Sequence, residues 1–598
     1  MFRNIFFDNK TSKIHIWETI KNNNMFDSIE WSPYIFENDP EGKIKTVTGK
    51  TVSRKDFLSY SEYQSYCTSN TECYENQVRP DIQFLVNRYY GIDDDVFEVP
   101  KLRIYSIDIE VHSTTGDWSG IDNALYPVTC CSIHDNIENK TTTYGIKPYN
   151  GEYKDKDFLK YVYCNTEEQL LTNIFNHFQK KPPDVITGWN VIDFDIMYLI
   201  NRAKNVFGEE TSLYRKLSPI GIVRSWKSKS GGMNIDVAGV TLLDYMQLYK
   251  WYSPSKLEKY SLDFVSTYEL QKGKVDYSAE YEDLRELYNN DWDLYIKYNI
   301  TDSLRVAQLE EKLGYIKLVQ ALSLLCKAPM KYYNAMTQLI EGLMLTHFRR
   351  KGKCAPRFLG GHQEHFEAAF VKEPIVGRYD WVVDLDIVSS YPTAIITMNM
   401  SPETYYGSIS GFTEQEIIHN VRKKKFSSFS MITSTGNTKT INGDQLETFN
   451  KALEKKLLCI APCGSVFTTS KVGVLAEVVR HLFDKRVEIK GKMIKLKKSL
   501  PDLRGDNALK AKERIAQLHS LQWALKIIAN AVFGITAVPY SRYFNHDIAK
   551  AIVSCGRVTR AAGEYCVNEL LNGHNEDLQK ILDQIKGEYN GLHKNVRT

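Results

Sequence analysis

Asp108 and Glu110, in the stretch "SIDIEV", stand two residues apart. On a strand that spacing sends both carboxylates out of the same face. Two such groups repel one another unless something positive neutralises them. Hard oxygen donors of this kind suit Mg²⁺ or Mn²⁺. Alone, an Asp-x-Glu pair is common on exposed strand faces. Two further pairs give it weight. "NVIDFD" sets Asn190 and Asp195 at the head of a helix, and "YIKYNITD" sets Tyr298 and Asp302 four residues apart on one helical face. An amphipathic helix can carry such a pair by chance; three acidic elements in this order within one α/β stretch are hard to get that way.

A second carboxylate group lies far downstream. "DLDIVSSYP" follows the apolar run "RYDWVV" and places Asp384 and Asp386 at the end of an expected buried strand. A metal site there needs another carboxylate cluster to complete it. Past it, Arg486 and Lys490 share one helical face, and Lys526 and Asn530 share another, followed by Phe533 and Gly534. Between 480 and 514 there are twelve Lys or Arg residues against five Asp or Glu. A basic hairpin is often a solvated surface, but next to a carboxylate site it can also neutralise phosphates. The run "RKKKF" at 422–426 reads as exposed.

The elements that must position these groups follow from periodicity. "LRIYSIDIEVH" (102–112) is a strand rich in β-branched and aromatic residues. "DVITGWNVIDFDIMYLINRAKNVFG" predicts strand, loop, then helix, and "DWDLYIKYNITDSLRVAQLEEKL" has helical spacing. Residues 1–100 predict short strands broken by polar loops. A helical, Met-rich stretch covers 316–350, strands return, and 475–535 predicts two long helices broken at "SLPDLRGDN" (499–507). The whole is a mixed α/β multidomain chain. Its 598 residues leave room for about three to five domains. A net charge of +3 argues for no partner, and 43% hydrophobic with 25% charged residues is ordinary for a folded chain. The eleven cysteines, including Cys130, Cys131, Cys459 and Cys463, lack the spacing of a zinc site or a disulfide framework. They are expected to be reduced thiols in an intracellular protein. No apolar run is expected to cross a membrane, and "MFRNIFFDNK" has no apolar h-region, so no targeting segment is expected there.

Asp-x-Glu, Asn-x4-Asp and Tyr-x3-Asp, in this order, resemble the three motifs of the DnaQ-like 3′→5′ exonuclease of family B DNA polymerases. The flanks "GWNVIDFD", "LLDYMQLYKWY" and "KYSLDFVSTYELQKGK" are similar to the T-even-type phage replicative polymerases. The resemblance implies that Asp108, Glu110, Asp195 and Asp302 hold two Mg²⁺ ions, replaceable by Mn²⁺, and that Tyr298 orients the attacking water. Asn190 is implied to contact the DNA strand. "AAFVKEPIVGRYDWVVDLDIVSSYP" resembles the entry to the palm and motif A. By that likeness Asp386, not Asp384, is the metal aspartate, and Tyr391 stacks under the incoming sugar and excludes a 2′-hydroxyl. Ser390 stands where the family usually has Leu. Lys526, Asn530, Phe533 and Gly534 resemble motif B, with Phe533 in place of the usual Tyr. With Arg486 and Lys490 they are implied to grip the nucleotide.

The implied domains are an N-terminal domain at 1–102, with 316–357 packing back on it, and an RNase H-like exonuclease domain at 103–315. The palm begins at 358–470, helical-hairpin fingers follow at 471–536, an incomplete second palm segment at 537–572, and a polar tail at 573–598. Motif C, Tyr-Gly-Asp-Thr-Asp-Ser, has no counterpart: no Asp-Thr-Asp occurs in the sequence. The palm sheet is therefore expected to show an unpaired edge. The expected function is the exonuclease-bearing part of a phage DNA-directed DNA polymerase in the cytoplasm of an infected bacterium. Its partners would be primer-template and single-stranded DNA, deoxynucleoside triphosphates, and a second polypeptide carrying motif C, the remaining palm and the thumb. A sliding clamp would join through that second chain. A stand-alone 3′→5′ nuclease, a non-catalytic primer-template-binding subunit and a truncated form of an intact polymerase stay open.

Overall fold

The computed structural model describes residues 1–571 except 71, 93–98, 115–118, 154–155, 228–232, 274, 278–279, 359, 362–372, 374 and 379–385. The end of the strand expected before motif A, with Asp384, lies outside the described residues, as does the tail 573–598. The chain divides into two compact units. The first comprises Met1–Lys45, Thr51–Ala355 and Ile489–Ala524; the second comprises Thr46–Lys50, Pro356–Glu488 and the chain from Leu525.

The first unit opens with β1 (Phe2–Asp8), β2 (Lys13–Ile20) and β3 (Asn23–Glu30), an antiparallel meander. A second small sheet holds β4 (Tyr34–Asn38), β5 (Ile44–Lys45) and β6 (Thr51–Asp56). Two helices that periodicity did not predict follow, α1 (Tyr60–Ser69) and α2 (Pro80–Tyr89). The segment before α2 is polar, but Ser59 caps α1 by accepting from Glu62 N–H, and Pro80 sits at the first position of α2, where no donor is needed.

The central sheet of this unit is built from β7 (Ile104–Val111), β8 (Val128–Asp135), β9 (Lys140–Gly145), β10 (Leu159–Tyr163), β11 (Val185–Gly188) and β14 (Thr241–Asp244), in the order β10-β9-β8-β7-β11-β14. Strands β12 (Val223–Lys227) and β13 (Met233–Val237) form a separate hairpin. Strand β7 pairs antiparallel with β8 and parallel with β11. Its Ile107 and Ile109 are buried in one core with Leu170, Ile174 and Phe175 of α3 (Glu167–Lys180) and Leu199 of α4 (Met197–Phe207). Period-two alternation turns Asp108 and Glu110 to the other face. Helices α5 (Tyr245–Tyr252), α6 (Leu262–Leu270) and α7 (Leu284–Asn290) lead into α8 (Trp292–Leu313). Ile296 and Ile300 of α8 pack with Cys130 of β8 in a second core. Asp291 caps α8 at Leu294 N–H, and Gly314 ends it at φ +68°.

Helices α9 (Tyr315–Cys326) and α10 (Met336–Arg350) come next. Leu324 of α9 joins Phe2, Ile14, Phe84 and Leu85 in the core beside β1 and α2. Arg349 of α10 pairs with the fully buried Glu75 and donates to Tyr34.

In the second unit α11 (Ser390–Thr397) precedes a five-stranded antiparallel sheet ordered β17-β16-β15-β19-β18. Its strands are β15 (Tyr405–Ser410), β16 (Phe429–Thr433), β17 (Thr438–Ile441), β18 (Leu458–Ile460) and β19 (Ser465–Thr468). Helices α12 (Glu414–Lys423) and α13 (Gly443–Glu454) are interleaved, and Ile417, Phe429, Met431, Phe449 and Val466 form the core. Two long helices, α14 (Val474–Ser499) and α15 (Gly505–Ala537), run through both units, and α16 (His546–Leu571) closes the described chain. By length and composition alone α15 is as long and apolar as a membrane-crossing helix, a test that core helices also pass; 44% of its most apolar window is buried inside the fold. The apolar residues Leu518, Leu525, Ile528, Val532 and Ile535 fall on a buried stripe at helical spacing.

Candidate active site

The carboxylates of the first unit come from three elements. Asp108 and Glu110 leave β7 half-buried. Asp195 lies in a π-helical turn, Ile192–Ile196, between β11 and α4. This turn is set by Phe194 N–H donating to Asn190 O at 3.0 Å and Ile196 N–H to Val191 O at 2.9 Å. Such a turn widens the helix by one residue and re-aims a side chain. Here it brings Asp195 Oδ1 to the Ile109 N–H of β7, at 3.0 Å. Gly188, just before it, lets β11 approach β7: a Cβ there would stand 2.6 Å from Ile107 O. Tyr298 and Asp302 lie one turn apart on α8, both buried. Tyr298 meets the Tyr277 ring edge-on at 5.6 Å.

Several of these groups feel one another's charge. Asp195 is only 3% exposed. Its pKa is pushed up to about 8, first by burial and then by the carboxylates of Asp244 and Asp302, against the opposing pull of Ile109 N–H. On the neighbouring strand, burial and the Glu110 charge raise the Cys130 thiol, while burial, Asp195 and Asp108 raise that of Cys131. A buried set of hard anionic oxygens fits a divalent cation in kind. Among the described residues no three His, Cys, Asp or Glu side chains already stand in position to hold an ion.

Two contributors escaped the sequence reading. Asn299, fully buried on α8, donates from Nδ2 to Asp108 Oδ2 at 2.7 Å. Asp244, at the end of β14, caps α5 by accepting from Met246 and Gln247 N–H. The same Oδ1 accepts from Asn190 N–H at 3.3 Å, across 54 residues. Asn190 sits at φ +64°, in the left-handed region that Asn tolerates best among non-glycines. The position before α5 is a cap signal in "LLDYM"; its tie to Asn190 has no local signal.

In the second unit Asp386 is exposed just before α11, whose cap Ser389 is left-handed at φ +51°. Tyr391 of α11 meets the Phe533 ring of α15 at 4.6 Å between centroids, tilted 44°. Gly556 of α16 backs Tyr391: a Cβ there would lie 3.1 Å from its Cε1. Lys526 and Asn530 are both exposed on α15, and Gly534 is half-buried. Arg486 of α14 is half-buried, and its Nε is buried with no protein acceptor. Lys490, one turn further along α14, is exposed and falls in the part grouped with the first unit.

Comparison with known proteins gives this geometry a family. Residues 47–265 match the DNA polymerase family B exonuclease domain, and residues 328–592 match DNA polymerase family B. The DNA-directed DNA polymerase of Escherichia phage RB69 is 27% identical over 589 residues, covering 91% of this chain and 64% of the relative. That of Enterobacteria phage T4 is 27% identical over 434 residues, covering 67% and 47%. The DNA polymerase delta catalytic subunit of Dictyostelium discoideum is 25% identical over 433 residues, covering 69% and 34%. The chain thus spans less than two thirds of the length of these curated relatives. It belongs to DNA polymerase family B, with an exonuclease domain and a polymerase domain.

Proposed function

We propose that this chain carries the 3′→5′ proofreading exonuclease and part of the synthetic site of a phage replicative DNA-directed DNA polymerase. The observation that supports the reading is Asp195, buried against the Ile109 N–H of the strand that carries Asp108 and Glu110, and raised to about 8 by burial with a contribution from the Asp302 charge. The exonuclease domain is DnaQ-like in this reading, and its substrate is the 3′ end of a single DNA strand. Asp108, Glu110, Asp195 and Asp302 would hold two Mg²⁺ ions, or Mn²⁺. Bound there, such ions supply an activated water and charge stabilisation at a phosphodiester. Tyr298 orients the attacking water, and Asn190 contacts the strand.

In the second unit Asp386 contributes one carboxylate to synthesis. Tyr391, packed against Phe533 and close to Gly556, forms the floor under the incoming deoxyribose. Lys526, Asn530 and Arg486 present donors to a triphosphate; the buried, unpartnered Nε of Arg486 supports an anionic ligand. The remaining carboxylate, palm and thumb would come from sequence outside these 598 residues, with a second polypeptide as the proposed source and the route to a sliding clamp. The proposed setting is the cytoplasm of the infected host.

A stand-alone nuclease is the second reading, in which Asp108, Glu110, Asp195 and Asp302 act without the synthetic site. One primer-template gel separates the two. The purified chain, given Mg²⁺ and all four deoxynucleotides, should shorten primers without extending them. Adding the C-terminal part of a related phage polymerase should then restore extension under the polymerase reading and leave only shortening under the other.

A further inference from the structure

We propose that Asn299 is a positioning residue of the exonuclease site, one that fixes the carboxylate of Asp108 for cation binding. The inference deepens the exonuclease reading and rests on it. Asn299 lies inside α8 between Tyr298 and Asp302 and is 0% exposed. Around it the same helix buries Ile296 and Ile300 against Cys130 and Tyr295. An amide in such a setting is an exception that packing alone does not select.

The side chain makes one hydrogen bond, Nδ2 to Asp108 Oδ2 at 2.7 Å, while Oδ1 is buried without a protein partner. The amide cannot turn over to satisfy that oxygen, because the flip would set Oδ1 against a carboxylate that only accepts. The acceptor oxygen of Asn299 is thus left unsatisfied while its amide nitrogen donates to Asp108. Asp108 is half-buried on β7, and an aspartate has two torsions through which its oxygens can swing, so a donor from α8 restricts it. The bond from α8 ties it to the helix that also carries Asp302. Carboxylates from two elements are thereby held in a fixed relation, which is what binding one ion between them requires.

The test measures cation binding directly, without DNA. The full chain in an Asp386→Ala background is titrated calorimetrically with Mn²⁺, alongside Asn299→Leu, Asn299→Ser and Asp108→Ala. The expected result is a Kd for Mn²⁺ raised about 10-fold or more by either Asn299 substitution, with the melting temperature of Asn299→Leu held or raised. Excision by these variants should recover as Mn²⁺ is increased. An unchanged Kd in a folded Asn299 variant, while Asp108→Ala abolishes binding, overturns the positioning role and leaves the exonuclease reading intact. Binding that survives Asp108→Ala overturns both. Asn299→Ser keeps the test decisive should the Leu variant fail to fold.

Discussion

Asp108 and Glu110 project from the same face of β7, and their neighbours decide what they can do. The Asn299 donor and the raised Asp195 belong to one buried polar set. Replacing Asp108 and Glu110 together by Ala should abolish primer degradation on single-stranded DNA, measured by gel, with the fold retained by circular dichroism. Persistent degradation at the wild-type rate would place the chemistry elsewhere. Tyr391 is the corresponding single residue of the second unit. Its ring contacts Phe533, and a Cβ at Gly556 would come within 3.1 Å of its Cε1. In an enzyme form that extends primers, Tyr391→Ala should raise ribonucleotide incorporation relative to deoxyribonucleotide by ~10-fold or more, since shape exclusion is worth that much at a tight contact. An unchanged ratio would remove Tyr391 from sugar selection.

Elements are joined here by close approaches that the sequence records only as small residues. Gly342 of α10 faces the end of α9, where a Cβ would stand 2.1 Å from Cys326 O. Helix propensity alone favours Gly342→Ala by about 1 kcal/mol. A backbone oxygen cannot move aside cheaply, so overpacking at a cost of about 1–3 kcal/mol should win. Urea denaturation should show a lower midpoint for Gly342→Ala; a higher one would mean that α9 and α10 can separate freely. Strand β7, helix α8 and the break between α14 and α15 were legible from periodicity and turn residues. Helix α1 was not, because its buried face is only Tyr63 and Cys67; α2 carries Ile82, Leu85, Val86 and Tyr89 at helical spacing, a signal too short to stand out among the polar loops around it. The π-helical turn was equally hidden: "NVIDFD" marks a helix start, but the extra residue is fixed by the tie from Asp195 to Ile109 N–H.

At the scale of the molecule, the small net charge hides titrating groups that matter to stability. His177 of α3 has its pKa lowered from 6.5 to about 4, chiefly by burial. The ring meets the Tyr144 hydroxyl at 2.9 Å. The unfolded chain takes up this proton near pH 6.5 and the folded chain only near 4. Acid therefore favours the unfolded state progressively as pH falls from about 6.5 to about 4, with no further effect below. The full effect is at most about 3 kcal/mol. His134, also lowered by burial, acts in the same direction. Melting temperature should fall over this window in wild type and fall less in His177→Gln; parallel curves would show that His177 is accessible to protons when folded.

The sequence by itself determined which residues could do chemistry and how they are phased. Period two sets Asp108 with Glu110, and the helical repeat sets Tyr298 with Asp302, because both are properties of the local backbone. The family likeness at the quoted motifs was also in the sequence. Tertiary structure alone decided that Asp195 is buried and raised, that Asp244 holds the turn at Asn190, and that Asn299 donates to Asp108. Those pairs are separated by 54 and 191 residues. Their hydrogen bonds and desolvation depend on which elements pack together, and no local pattern encodes that.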